Sequence, residues 1–152
     1  MRFAFHIIGL VLTPLLISAC STQACYDDTD PMVNIGLFAS GAGTVKKSTS
    51  LNVTGVADPS SVQIFSATTV ASFSVPLDPV HNTSVFIITL NGVADTAIIN
   101  YTSFIHIVSP ECGYTFYNEI TGLRTTHNII DSLNIENKSV TLNGERNLRL
   151  FY

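Results

Sequence analysis

The sequence contains no tryptophan, and only 12% of its 152 residues are charged. Seven lysines and arginines face eleven aspartates and glutamates, which gives a formal net charge of −4. Because nucleic-acid binding needs a basic face that neutralises phosphates, no nucleic-acid partner is expected. Three cysteines are too few for a dense disulfide framework, and a chain of this length can bury a core without one.

Patterns typical of catalytic and metal sites are also absent from the sequence. His81, His106 and His127 match neither the HExxH spacing nor a set of two histidines and one carboxylate. There is no Gly-x-Ser-x-Gly elbow and no glycine-rich phosphate loop. The acidic residues between 27 and 30 offer oxygens to Ca²⁺, but they suit solvated linker charges equally well. The chain is therefore predicted to be no enzyme and to use no metal or cofactor.

The N-terminus carries the longest apolar stretch. Arg2 precedes an apolar run over residues 3–17, which is shorter than the roughly 20 residues of a membrane-spanning helix. The run closes as Leu16-Ile17-Ser18-Ala19-Cys20, which indicates a secretory signal peptide and resembles the lipobox of bacterial lipoproteins. This resemblance implies that residues 1–19 are removed and that Cys20 is acylated. A plain N-terminal anchor and an ordinary secreted leader are the alternatives.

Two further cysteines remain if Cys20 carries a lipid. Cys25 and Cys112 are then a pair in an oxidising compartment, so we predict a disulfide between them, with two separate buried thiols as the alternative. Pro110 and Gly113 are expected to shape the turn that presents Cys112. Residues 20–30 are assigned as the lipidated N-terminus and linker.

Residues 31–152 are predicted to form one β domain. They are rich in Val, Ile, Thr, Phe and Tyr and show no sustained helical periodicity. Short apolar runs separated by turn signals favour an all-β, antiparallel β-sandwich, Ig-like or related, of about eight or nine strands. The predicted strands are 32–38, 50–56, 62–65, 71–77, 85–90, 97–108, 129–136, 140–142 and 148–152.

Several local signals position these strands. Asn91-Gly92 and Asn143-Gly144 each predict a tight hairpin, because both central residues of a type I′ turn need positive φ. Pro76 indicates that its strand lies at a sheet edge or ends there. Val85-Phe86-Ile87-Ile88 is apolar on both faces, which suits a strand at the centre of the domain. Alternation puts Tyr114 and Phe116 on one face of the chain and Tyr117 on the other. We expect at least one of these two aromatic sets in the core.

Five parts of the sequence carry a resemblance to a known family: Cys25, Pro31, Ser109–Gly113, Thr126–Ser132 and Asn147–Tyr152. They resemble a Bacteroidetes family of small lipoproteins of unknown function, domain-of-unknown-function family 6452. The resemblance implies an envelope compartment and a β fold, and it carries no activity, cofactor or ligand.

The sequence therefore predicts a non-enzymatic, membrane-anchored envelope lipoprotein that serves as a binding or assembly factor. Its working surface is expected to be loops or an exposed sheet edge that binds a partner by strand addition or side-chain contacts, and the edge that bears Ser72 and Ser74 is the candidate for strand pairing. The alternative is a carbohydrate- or envelope-polymer-binding module, for which the stacking candidates are Tyr26, Tyr114, Tyr117 and Tyr152.

Two further predictions concern location and modification. Residues 21–24 lack the acidic run that resembles a surface-export signal, which favours an outer-membrane anchor facing the periplasm. Asp95-Thr96-Ala97 and Asp131-Ser132-Leu133 resemble an O-glycan acceptor motif of Bacteroidetes exported proteins, and Thr96 is the preferred acceptor.

Overall fold

A computed structural model describes residues 30–57, 60–110 and 112–152. The described residues contain ten β-strands and no helix that is long and apolar enough to cross a membrane. The strands are β1 (Met32–Phe38), β2 (Leu51–Ala57), β3 (Ser60–Ala67), β4 (Ser72–Pro76), β5 (Thr83–Leu90), β6 (Val93–Ser109), β7 (Gly113–Thr125), β8 (Ser132–Ile135), β9 (Ser139–Val140) and β10 (Arg146–Phe151).

The strands form two sheets, which confirms the predicted all-β sandwich. One sheet has the order β4-β1-β10-β8, and the other has the order β3-β2-β5-β6-β7-β9. All pairings between these strands are antiparallel except β1 with β10, which run parallel. The purely antiparallel arrangement expected from the sequence is therefore interrupted where the first and last strands meet.

Alternating apolar side chains of the two sheets form one core. Val33, Ile35 and Leu37 of β1 are buried beside Leu148 and Leu150 of β10. Each fully buried aliphatic side chain contributes about 1.5–3 kcal/mol to the stability of the fold relative to an exposed one. The six-stranded sheet contributes the side chains that face these residues, including Leu51, Val53, Phe86, Ile88, Leu90, Ala97, Ile99 and Ile120.

The two Asn-Gly turns have different outcomes. Asn91 and Gly92 have φ of 52° and 85° and join β5 to β6 as a two-residue hairpin, which confirms the first prediction. The hairpin predicted at Asn143-Gly144 is wrong, because β9 pairs with β7 whereas β10 pairs with β1 and β8. Of these two residues only Gly144 has positive φ, so the turn is not type I′. The Asn147 side chain donates to the Ser139 carbonyl at 2.8 Å and holds the crossing between the sheets.

Other strand predictions are partly correct. β4, which ends at Pro76, lies at a sheet edge, and β5 lies between β2 and β6, as predicted. β7 was missing from the predicted strands, although the alternation of its aromatic residues was recognised. The strand predicted over residues 129–136 begins only at Ser132. Ile129 and Ile130 precede it in an irregular segment, and Ile130 is fully buried there.

Candidate functional site

β6 and β7 extend beyond the other strands as a two-stranded ribbon. β5 pairs with β6 only as far as Asn100, and β9 pairs with β7 at Asn118 and Glu119. Among the described strands, the β6 segment 102–109 pairs only with β7, and the β7 segment 113–117 pairs only with β6. We call residues 102–117 the ribbon. Its eight-residue β6 segment spans about 25 Å at the usual rise per strand residue.

One face of the ribbon is apolar and exposed. Ile105 lies opposite Phe116 and Ile107 lies opposite Tyr114, so the four side chains share one face. Tyr114 and Phe116 contact each other edge to face, with ring centroids 5.9 Å apart. Ile105, Ile107 and Tyr114 are 65%, 73% and 62% exposed, and Phe116 is half-buried. We call these four residues the apolar face of the ribbon.

This face continues the core-facing side of the six-stranded sheet. Ile120 lies four residues after Phe116 on the same side of β7 and is fully buried. The prediction that one of the two aromatic sets belongs to the core is wrong, since neither Tyr114 with Phe116 nor Tyr117 is in the buried cluster. The face is apolar like the core-facing surface that it continues. Within the described residues, however, it extends past the opposing sheet.

The opposite face of the ribbon is occupied by its own rings. His106 stacks on Tyr117 with centroids 4.0 Å apart and 11° between the planes, and Phe104 meets Tyr117 edge-on at 6.2 Å. Tyr152, another predicted stacking residue, is buried in the core. Tyr26 lies outside the described residues. Among the described tyrosines proposed for sugar stacking, only Tyr114 therefore exposes most of its side chain.

The tip of the ribbon carries Cys112. Cys112 is disulfide-bonded and half-buried, and its backbone N–H donates to Ser109 Oγ at 3.0 Å. Gly113, one of the two residues predicted to shape the turn around Cys112, has a positive φ of 73°. Cys20 and the predicted disulfide partner Cys25 lie outside the described residues, so lipidation and the Cys25–Cys112 pairing stay predictions.

A buried carboxylate fastens the loop that follows β7. Asp95 is 2% exposed, and its Oδ1 accepts hydrogen bonds from Thr126 Oγ1 at 2.5 Å and from the Asn128 N–H at 2.8 Å. Its Oδ2 accepts the N–H groups of Ile129 and Ile130, both at 2.8 Å. None of the ion pairs among the described residues involves Asp95. Four donors therefore replace the water that burial removes.

These donors also determine the ionisation of Asp95. Burial by itself raises the pKa of a carboxyl group, because it disfavours the charged form. The hydrogen bonds from Thr126 and from the N–H groups of Asn128, Ile129 and Ile130 outweigh that effect and lower the pKa of Asp95 below its ordinary value. Asp95 was noted in the sequence only as part of a glycosylation motif. Its structural role was missed, although an aspartate inside an apolar alternation was a usable signal.

Thr96, the predicted O-glycan acceptor, lies within β6 and is half-buried. Its backbone N–H donates to Thr126 Oγ1 at 2.8 Å, and its carbonyl accepts the Thr126 N–H at 3.0 Å. Thr96 is therefore a strand residue rather than a turn residue. Glycosylation there stays a prediction.

A cavity of about 560 Å³ opens beside β5, and the polar side chains of Asp78, His81 and Ser84 are part of its lining. His81 Nδ1 lies 2.8 Å from Asp78 Oδ2, and the hydrogen bond from His81 lowers the pKa of Asp78. Ser84 Oγ accepts the Asp78 N–H at 3.2 Å and lies 2.8 Å from the Tyr101 hydroxyl. A catalytic triad needs the serine hydroxyl on the histidine. Here the Ser84 hydroxyl instead fastens the loop at Asp78.

The three histidines in the described part of the chain have separate surroundings. His81 contacts Asp78, His106 stacks in the ribbon, and His127 Nδ1 lies 2.9 Å from the Ile130 carbonyl oxygen. No group of three His, Cys, Asp or Glu side chains suited to a metal ion occurs in the described parts of the chain. Asp27 and Asp28 of the acidic linker lie outside the described residues.

An exposed cluster of charged side chains joins β10 to Glu136, the residue that follows β8. The Glu136 carboxylate accepts hydrogen bonds from Arg146 Nε at 2.5 Å and Arg149 Nε at 2.9 Å, each reinforced by a second guanidinium nitrogen. Both guanidinium groups also lie over the Phe38 ring, at 5.2 and 5.3 Å from its centroid. The hydrogen bonds from the two arginines lower the pKa of Glu136 to about 2.

We expect the Glu136 carboxyl to titrate near pH 2, well below its ordinary value of 4.5, in a carbon-detected NMR titration of the side chain. Arg146→Gln removes the largest contribution and is expected to move the midpoint back toward 4.5. Lys138→Gln removes a nearby exposed charge that has no contact with Glu136 and serves as the control. A midpoint near 4.5 in the native protein would show that this cluster does not form in solution.

The edge strand β4 borders a groove of about 330 Å³. Ser72 is exposed there, and Ser74 Oγ donates to Asn34 Oδ1 of β1 at 2.6 Å. Phe73 of β4 and Phe65 of β3 have ring centroids 6.1 Å apart, so edge strands of the two sheets meet at this side of the sandwich. Among the described strands, β4 pairs only with β1. Its other side can accept a further strand.

Comparison with known proteins gives one match. The model of a family of unknown function, DUF6452, matches residues 50–152, which include the strings at 109–113, 126–132 and 147–152. Cys25 and Pro31 lie before the matched region, and the predicted Bacteroidetes origin stays a prediction. No curated protein and no solved structure matches the chain. Because the match covers more than half of the sequence, the chain belongs to this family of unknown function.

Proposed function

We propose that the protein is a lipoprotein of the bacterial cell envelope, attached through an acylated Cys20, and that it serves as a non-enzymatic binding or assembly factor. The observation that carries this proposal is the sequence Leu16-Ile17-Ser18-Ala19-Cys20 at the end of a short apolar segment behind Arg2. The absence of an acidic run in residues 21–24 supports an outer-membrane location facing the periplasm.

A disulfide between Cys25 and Cys112 is part of the proposal. The disulfide-bonded state of Cys112 supports it, since oxidising envelope compartments preserve such bonds. Cys25 follows Cys20 by five residues, a distance of at most about 16–18 Å in an extended chain. The short connection between the lipid and the disulfide then keeps the ribbon tip close to the membrane, and we call this connection the short clamp.

The binding surface proposed for a partner is the edge strand β4. The groove beside Ser72 and the side of β4 that pairs with no described strand suit the addition of an extended segment, which gains affinity from backbone hydrogen bonds. Pro76, which has no N–H, ends the ladder and limits how far such a segment extends. The fastened Ser84 hydroxyl supports a binding role rather than catalysis.

Lipid attachment can be tested directly. In cells grown with a clickable fatty acid, the native protein is expected to become labelled and to fractionate with the outer membrane, whereas Cys20→Ser is expected to lose the label. Cys112→Ser keeps the lipidation site and serves as the matched cysteine control. Equal labelling of the native and Cys20→Ser proteins would overturn the proposal.

A further inference from the structure

We propose that the apolar face of the ribbon lies in the interfacial layer of the lipid bilayer to which the protein is anchored. This inference rests on the proposed lipid anchor. Its first support is the exposure of Ile105, Ile107 and Tyr114 on one continuous face. Removing apolar surface of this kind from water is favourable, in proportion to the area removed.

The composition of the ribbon suits a lipid surface. Glu111 is the only Asp, Glu, Lys or Arg from residue 102 to residue 117. Tyr114 places a phenol among aliphatic side chains, and tyrosine is enriched where membranes meet water because one end is apolar and the other polar. Since the ribbon has no lysine or arginine, attraction to anionic lipids contributes nothing, and its membrane contact is expected to be independent of salt.

The tether places the ribbon at that surface. Cys112 is at the ribbon tip, and in the proposed disulfide it is bound to Cys25, five residues from the acylated Cys20. The tip therefore stays within about 16–18 Å of the lipid attachment point, plus the length of the disulfide. A ribbon about 25 Å long that is held at its tip has its exposed face within reach of the headgroups.

The backbone limits how deep the ribbon enters. The outer edge of the β6 segment 102–109 pairs with no other described strand, and backbone N–H and C=O groups without a partner are not tolerated in hydrocarbon. Headgroups and interfacial water satisfy them. We therefore expect Tyr114 at the level of the headgroups and the upper acyl chain, not at the bilayer centre.

A second copy of the protein is the weaker candidate for covering this face. Stable protein interfaces use roughly 20–30 residues on each side, whereas the apolar face of the ribbon offers four. A bilayer needs no matching shape and covers a small patch as readily as a large one. The small area and the tethered tip therefore favour lipid.

Because the chain has no tryptophan, a single introduced indole reports on one position. The lipidated full-length protein with Tyr114→Trp, reconstituted in phosphatidylethanolamine–phosphatidylcholine vesicles, is expected to show blue-shifted emission. Lipids brominated near the headgroup end of the acyl chain are expected to quench it more than lipids brominated near the methyl end. The matched control is Val62→Trp on β3, since Val62 and Tyr114 are both 62% exposed, and its emission is expected to stay unquenched.

Each other outcome overturns the inference. Equal quenching of both variants, or of neither, shows that the ribbon has no preferred membrane contact. A blue shift that needs no lipid and accompanies a doubled particle size in detergent shows that a second copy covers the face.

A further control removes the aliphatic part of the face. Adding Ile105→Ser and Ile107→Ser to Tyr114→Trp changes only exposed side chains and is expected to abolish the quenching.

The inference and the proposed function fail in different ways. If Cys20 is not acylated, fatty-acid labelling is absent and the proposed function is lost before any vesicle is prepared. If the label is present but the Tyr114→Trp emission is unquenched, the lipoprotein assignment stands and only the ribbon contact is wrong. A signal that persists unchanged in high salt supports contact through apolar side chains.

Discussion

Replacing Asp95 with alanine is expected to lower the free energy of unfolding by about 3–5 kcal/mol, because it removes the shared acceptor of four donors. Three of these donors are consecutive backbone N–H groups, of Asn128, Ile129 and Ile130, and they would be left unpaired next to the core. Urea denaturation followed by far-UV circular dichroism measures the loss. A change below about 1 kcal/mol would show that water or another group replaces the carboxylate.

Two further variants separate charge from shape. Asp95→Asn keeps the size of the side chain but turns an NH₂ group toward backbone N–H donors, so it is expected to destabilise nearly as much as alanine. Asp131→Asn is the matched control, since Asp131 is exposed and its side chain accepts one hydrogen bond, from Ser40. It is expected to change stability by no more than about 0.5 kcal/mol.

The same carboxylate predicts a dependence on pH. Because the pKa of Asp95 is lower in the folded protein than in the unfolded chain, its stabilising contribution is complete above about pH 4 and is lost as the pH falls through the folded-state pKa. The difference in stability between the native protein and Asp95→Asn is therefore expected to be constant near neutral pH and to shrink in acid. A difference that grows in acid would contradict this account.

Local patterns predicted much of the sandwich. The strand at Met32–Phe38 and the positive φ required at Asn91-Gly92 depend on a few neighbouring residues, and the structure has both as expected. The signals at Asn143-Gly144 and Ile129–Ile130 are equally strong locally but are overruled by distant partners. At Asn143-Gly144, the hydrogen bond of the Asn147 side chain joins strands of the two sheets. At Ile129–Ile130, the backbone N–H groups bind Asp95, which lies more than thirty residues earlier in the chain.

The candidate site shows the same division. The period-two alternation correctly assigned Tyr114 and Phe116 to one face of a strand. It wrongly implied that such an apolar face must be buried, because burial depends on whether the opposing sheet reaches that far. No sequence pattern measures the length of β6 and β7 relative to their neighbours. The exposed apolar face is thus a property of the assembled sheets.

Removing the predicted disulfide is expected to have the other large effect. Joining residues 25 and 112 closes a loop of nearly ninety residues, which corresponds to roughly 4–5 kcal/mol in the chain-entropy account of disulfides. Cys25→Ser and Cys112→Ser are each expected to lower the free energy of unfolding by about that amount. The double variant is expected to lose no more than either single variant, because one bond is lost in all three. Urea denaturation of the lipidated full-length protein in detergent measures these differences.

The third cysteine makes this experiment decisive for the anchor as well. A sulfur that carries a lipid cannot also form a disulfide, so the proposed scheme assigns Cys20 one role and Cys25 the other. Cys20→Ser is therefore expected to keep the Cys112 disulfide and its stability. If Cys20→Ser instead destabilises as much as Cys112→Ser, and Cys25→Ser has no effect, then Cys112 is bonded to Cys20. That result would remove both the lipid and the short clamp, since both depend on the same thiol being free for acylation.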